Sequence, residues 1–299
     1  MLVLKLNAWR TLPNMRIMQF IRAFLTLLLI SLSMRLGFGA EANGKDSLEQ
    51  ASDLFRQGKK AEAYAFIEKL ITAEPKNAKA FFIQGSFYMQ DKQPGKAVDS
   101  LNKAIALDPK PAAVYQTRGE ANFQLGRFKD SLLDFTKVVE IEPEKAPYHW
   151  QRGISCYYAK QYEEGRKQFE LHRTVNANDV ENAVWHYLCV SKISGVQKAK
   201  SLLIPMAGDP RIPMKEIYAL YAGKAQPEDV MKAAREGPPS PQLNEQIFYA
   251  DLYLGLWHAA QGNGKEARIH ILKAAGESPD DYMGTVARVH ATVLDKTRP

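Results

Sequence analysis

The side chains best suited to metal binding or nucleophilic chemistry are six histidines, His149, His172, His186, His258, His270 and His290, and two cysteines, Cys156 and Cys189. No two of the histidines stand at a metal-ligand spacing. The chain has no His-Glu-x-x-His, Gly-x-Ser-x-Gly or paired Cys-x-x-Cys motif, and no phosphate-cradling glycine loop. Gly262-Asn263-Gly264-Lys265 comes nearest to such a loop, but it lacks the preceding strand and the spacing, and it reads as a turn. No catalytic set, metal site or cofactor is therefore expected from these residues. A different set suits recognition by contact. Phe82, Ser86 and Met89, then Gln116, Glu120 and Phe123, then Trp150, Ile154 and Tyr157, then Val184 and Leu188, each lie along one face of a helix. Aromatic anchors with polar neighbours are what the centres of protein interfaces favour.

These residues are positioned by a 34-residue period. Pro75, Pro109 and Pro143 fall 34 apart, as do Gly85, Gly119 and Gly153, and the phrases ITAEP, IALDP and VEIEP close three units. Within one unit Tyr115, Gly119 and Asn122 share a helix face until Gly126 turns the chain. Ser131, Phe135 and Val138 repeat that spacing until Pro143 ends the second helix. Each unit is thus a helical hairpin. Small residues facing inwards, Gly85, Gly119 or Gly153 with Ala97, Ser131 or Gly165, let its helices approach closely. One hairpin cannot bury enough apolar surface to offset the entropy of ordering its residues, so the units must stack.

Phe81, Gly85, Tyr88, Ala97 and Pro109, and again Tyr115, Gly119, Phe135 and Pro143, resemble the tetratricopeptide repeat, with Leu101 in the place of the last aromatic of the first set. That resemblance implies an all-α superhelix, an α-solenoid of helical hairpins. It also implies that the second face of each first helix lines a concave groove for a protein or peptide. The side chains on that face do not repeat in type from unit to unit, which suits a surface that reads an extended partner. Burial of some of them against the next unit, or under residues 212–236 folding back, is the competing expectation. The basic and amide pattern that clamps a C-terminal carboxylate in some such proteins is missing, since Phe82, Ser86, Ala113 and Thr117 stand there.

Residues 1–22 hold four basic residues and no acid, and Ala23 to Met34 runs twelve residues without a charge. With Ala40-Glu41-Ala42 following, residues 1–42 read as a secretory signal peptide, and the segment from Met15 alone already has the usual length. Twelve apolar residues are too few to span a bilayer, for which about twenty are needed. The expectation is an exported protein, periplasmic or secreted, with no stable membrane span after cleavage, a retained anchor being the alternative. Without residues 1–42 the chain carries 35 basic against 32 acidic residues, so the formal charge of +7 is largely targeting charge and no nucleic-acid partner is expected.

The repeat array is expected over 46–206 as about five hairpins, the first and fifth degenerate. In the fifth, Tyr187 replaces the glycine while Ala199 and Leu203 keep the second helix. An irregular helical insert follows over 207–241, and 242–294 recovers a repeat-like hairpin plus a capping helix. His149 stands where Phe81 and Tyr115 stand, and His172 where Val138 stands, so both are expected to pack. Neighbouring helices lie about 8–10 Å apart, so Cys156 and Cys189 are expected as two buried thiols. Trp185-x-Tyr187-Leu188, Glu216 to Gly223 and Tyr253-Leu254-Gly255 resemble the NlpI-type repeat lipoproteins of the bacterial envelope, although the lipid-bearing cysteine is absent. For that group the resemblance implies a non-enzymatic adaptor that brings envelope proteases or cell-wall hydrolases to their partners. Two other classes stay open: an enzyme or metal protein with a site between repeats, and a holder of unfolded envelope proteins. Self-association is also left open.

Overall fold

The computed structural model describes residues 47–296, so the leader expected over 1–42 lies outside the described residues. They are helical throughout, with no strand among them. Two compact units divide at Pro75. In the first, a helix over 47–56 (α1) is followed by α2 (Lys60–Ala73), which buries Ala63, Ile67 and Leu70 at helical spacing. Tyr64 meets Phe55 edge to face at 6.1 Å.

The second unit contains three regular hairpins: α3 (Ala78–Gln90) with α4 (Pro94–Leu107), α5 (Ala112–Gln124) with α6 (Phe128–Ile141), and α7 (Trp150–Tyr158) with α8 (Tyr162–His172). A 3-10 turn over Pro143–Tyr148 leads into α7 and shortens it. Each helix packs on the next, so the hairpins stack. The glycines show how they close. A Cβ on Gly119 would lie 2.6 Å from the Phe135 ring, one on Gly153 2.6 Å from the Phe169 ring, and one on Gly85 2.8 Å from Leu101. The second helix therefore seats a large apolar side chain on the bare backbone of the first.

Phe135 is fully buried and has no room to swing aside. Gly119→Ala is accordingly expected to destabilise the fold by about 1–2 kcal/mol, overpacking outweighing the helix propensity that alanine adds. Gly95, in the first turn of α4, meets nothing within 4 Å, so Gly95→Ala is expected to stabilise by about 0.5 kcal/mol. Urea unfolding of the two variants checks both signs.

The turn between helices also repeats. Gly58, Lys92, Gly126, Lys160 and Gly262 all have positive φ, between 56° and 83°. Glycine takes that conformation freely, whereas each lysine carries a cost on the order of 1 kcal/mol.

A polar ladder with the same period ties successive hairpins together. The Arg118 guanidinium donates to Asp134 on its own hairpin (Nη2 to Oδ1, 2.6 Å) and to Asn102 Oδ1 of the preceding one at 2.7 Å. Arg152 does the same with Gln168 at 2.8 Å and Thr136 at 3.2 Å. His186 faces Glu170 at 3.3 Å, and Ser100 donates to Gln84 at 2.8 Å. Asp134 is 3% exposed and also accepts from Asn122 Nδ2, so its charge is fully partnered.

Beyond α8 the regularity gives way. α9 (Val180–Ser194) is buried nearly all round, and Gly195 turns directly into a short α10 (Val196–Ser201). The second helix of the fifth hairpin thus keeps Ala199 but stops before Leu203, which lies in the loop after it. α10 packs on α9 but is short, and α11 (Met214–Tyr221) packs on α9 as well. Tyr187, where a glycine would stand, meets the Tyr221 ring at 5.0 Å. α12 (Pro227–Ala234) then leads to a long hairpin, α13 (Pro241–Ala260) with α14 (Gly264–Gly276), and to the last helix, α15 (Tyr282–Lys296).

Candidate functional site

The expected groove face is carried by α3, α5, α7 and α9, and α15 lies against it. Tyr282 stacks on Phe123 of α5 at 5.4 Å and meets Trp150 of α7 edge-on at 5.0 Å. Further along, His290 Nδ1 is 2.8 Å from the hydroxyl of Tyr158. The segment that folds back onto the first helices is therefore 282–290. Residues 212–236, the alternative expected from sequence, pack α11 on α9, the last of these helices, and α12 on α13.

This cover sorts the residues expected to line the groove. Phe123, Ile154 and Tyr157 are buried, as are Val184 and Leu188, and of the five Ile154 still borders a pocket. Tyr157 packs edge-on against Trp185 at 5.5 Å. Phe82, Ser86, Met89, Gln116, Glu120 and Trp150 stay partly open. Gln116 Nε2 donates to Glu120 Oε1 at 2.8 Å, and burial pushes the Glu120 carboxyl up even though that bond opposes it.

Two cavities remain beside α15, and Tyr282 lines one of them. One is a cleft of about 630 Å³ where Met89, Lys92, Glu120 and Gln124 face Thr285, Arg288 and Val289 of α15, with Lys92 paired to Asp280 at 3.1 Å. The other is a pocket of about 330 Å³ between Trp150, Ile154, Trp185, Tyr249 and Tyr282, edged by Asp179, Glu181 and Asp281.

The groups that could do chemistry are placed differently. His149 is buried against Phe135, ring centres 4.9 Å apart, and burial pulls its pKa down to about 4. His172 Nδ1 is bonded to the Pro147 carbonyl at 2.8 Å. Cys156 and Cys189 are both buried free thiols, and burial pushes Cys156 up to about 11. A Cβ on Gly165 would lie 2.8 Å from Cys189 Sγ, which explains why α8 has glycine where α6 has Ser131. His258 and His270 stack at 5.6 Å, with Asp251 2.6 Å from His270, a pairing whose sequence separation hides it from motif reading. Among the described residues no group of three or more His, Cys, Asp or Glu is placed to hold a metal ion. Nor is any helix there long and apolar enough to cross a membrane.

Two sequence models, both described as tetratricopeptide repeat, match residues 48–112 and 112–145. No curated protein matches the chain. Among solved structures, a tetratricopeptide repeat protein from Parabacteroides merdae is 16% identical, with a TM-score of 0.54 over 84% of this chain and 98% of that one. The Pseudomonas aeruginosa protein pilF is 13% identical, with a TM-score of 0.46 over 84% and 99%. The MamA protein is 17% identical, with a TM-score of 0.49 over 66% and 98%. The first of these likenesses speaks to the fold alone. With the 34-residue hairpins, their seated glycines and the matched models, residues 48–145 are built of tetratricopeptide repeats.

Proposed function

We propose that this chain is an exported scaffold that holds a protein partner, without catalysis of its own, in the cleft between α3, α5 and α15. One observation carries the reading. The packing positions repeat in type at every 34 residues, whereas the cleft positions Met89, Glu120, Gln124 and Arg288 are mixed in type and stay open. A surface freed from packing duty and lined by both charges and a methionine suits one extended segment of another protein. The export reading rests on the basic, apolar and small-residue succession of residues 1–42. The likeness to NlpI-type envelope proteins supports a partner among envelope proteases or cell-wall hydrolases.

The test is capture from an envelope fraction by the parent and by a Met89→Glu/Glu120→Lys variant, which alters only partly open side chains and should keep its helical content. A partner held by the parent and reduced at least tenfold on the variant supports the cleft. Equal capture by both, or none by the parent, contradicts it.

A further inference from the structure

We propose that the pocket beside Tyr282 binds a primary ammonium or guanidinium group. Three independent features converge on that chemistry.

The first is charge. Asp179, Glu181 and Asp281 line the pocket, and Asp209 sits behind them. The cations facing this group are Arg211, bonded to Asp209 at 2.6 Å, Glu181 at 2.6 Å and Asp179 at 3.1 Å, and His172, 3.7 Å from Asp179. Four carboxyl groups thus stand against at most two cations, with burial pushing the Glu181 carboxyl up and the Tyr253 hydroxyl also donating to it. The excess negative charge is felt nearby, since burial, Glu181 and Asp281 together push the Tyr249 hydroxyl well above its usual range.

The second is the wall. Trp150, Trp185, Tyr249 and Tyr282 all line the pocket. Ring faces attract cations, and a partly dry site strengthens that attraction. Ile154 and Met283 offer apolar surface to an aliphatic stem.

The third is an unmet acceptor. Asn182 lines the pocket and is 4% exposed; its Nδ2 donates to the Phe169 carbonyl at 3.1 Å, but its Oδ1 has no partner. A buried acceptor without a donor is costly, and an N–H on the ligand would satisfy it. That requirement favours ammonium and guanidinium over quaternary ammonium, which has no N–H to give. The pocket's volume of about 330 Å³ fits one such group with its stem.

The inference does not depend on the cleft, which is separately lined. Isothermal titration of the full chain with acetyl-arginine amide, acetyl-lysine amide, free cadaverine and the neutral isostere acetyl-citrulline amide tests it. Saturable binding of the cationic probes is expected, with citrulline at least tenfold weaker. Tighter binding of cadaverine than of the capped residues would mark a free amine as the natural source, and the reverse order a protein side chain. Asp281→Asn should weaken binding roughly tenfold. Asparagine can still accept from the Gly284 amide, as Asp281 does at 2.7 Å, so the start of α15 is kept. Asp280→Asn, next in sequence but lining the cleft, should leave affinity within twofold. No saturable heat with any cationic probe, equal binding of citrulline, or an unchanged affinity in Asp281→Asn would overturn the proposal.

Discussion

Replacing Tyr282 by alanine is expected to cost about 3 kcal/mol, the low end for removing a packed aromatic ring because Tyr282 is only partly buried, and to lower Tm by roughly 8 °C. Tyr282 is where α15 is fastened to the inner face of the hairpins, through the stack on Phe123 and the edge contact with Trp150. Phe123 is itself fully buried and meets Phe128 at 5.6 Å and Tyr158 at 5.5 Å, so the lost ring leaves a void among aromatics that cannot readily close over it. Tyr148, 62% exposed in the 3-10 turn, is the control, and Tyr148→Ala should move stability by less than about 0.5 kcal/mol. Differential scanning calorimetry of the two variants decides it. Equal effects would mean that α15 is not bound to the groove face. The variant also loosens α15, whose Thr285, Arg288 and Val289 line the cleft, so its effect on partner capture should exceed that of Tyr148→Ala.

The second large effect is acid lability between about pH 6.5 and pH 4. His149 and His290 are 5% and 6% exposed, and burial draws each pKa down from 6.5 to about 4. Arg152 and Lys145 add to the shift at His149, and Lys192 at His290. A group whose folded pKa is depressed contributes stability above its unfolded pKa and loses it as the pH falls. Here the loss begins near pH 6.5 and is complete below about pH 4, on the order of 3 kcal/mol for each histidine. His172 works the other way. Burial lowers its pKa, but the bonds to Asp179 and to the Pro147 carbonyl outweigh that and raise it, so it offsets part of the loss. His149→Phe restores the aromatic that Phe81 and Tyr115 supply in their units. Both ring nitrogens of His149 are without partners, so nothing polar is forfeited. The variant should unfold at a lower pH than the parent and with a shallower slope, read by circular dichroism across pH 7 to 4. A parent stability that stays flat over that interval would refute the account of these two rings.

The repeated part of the fold was legible because one cause acts 34 residues apart each time: a bare glycine on the first helix receives the large side chain 16 residues later, Leu101, Phe135, Phe169 or Ile271. The buried position of His149 could be read from the same register. The polar ladder through Gln84, Arg118, Arg152 and His186 has that period too, but it is polar and only its two arginines repeat in type, so apolar periodicity alone passes over it.

The cover on the groove was not legible. It depends on α15 meeting α5 and α7 more than 120 residues away, and no local spacing encodes that contact. A trace of it does exist. Met283, Val286, Ala287, Val289, His290 and Ala291 bury α15 on more than one side, where a helix that merely closes a stack would keep a polar outer face. That same cover is why Phe123 lies inside rather than on the wall, while Tyr157 is closed off by Tyr158, Tyr162 and Trp185.

The claim that the cleft holds a partner is tested most directly by a photo-crosslinking amino acid placed at Met89, compared with one at Leu133 on α6, which is 68% exposed and outside the cleft. The account predicts a discrete adduct with an envelope protein from position 89 and none from position 133. An adduct from 133 but not 89, or the same adducts from both, would contradict it.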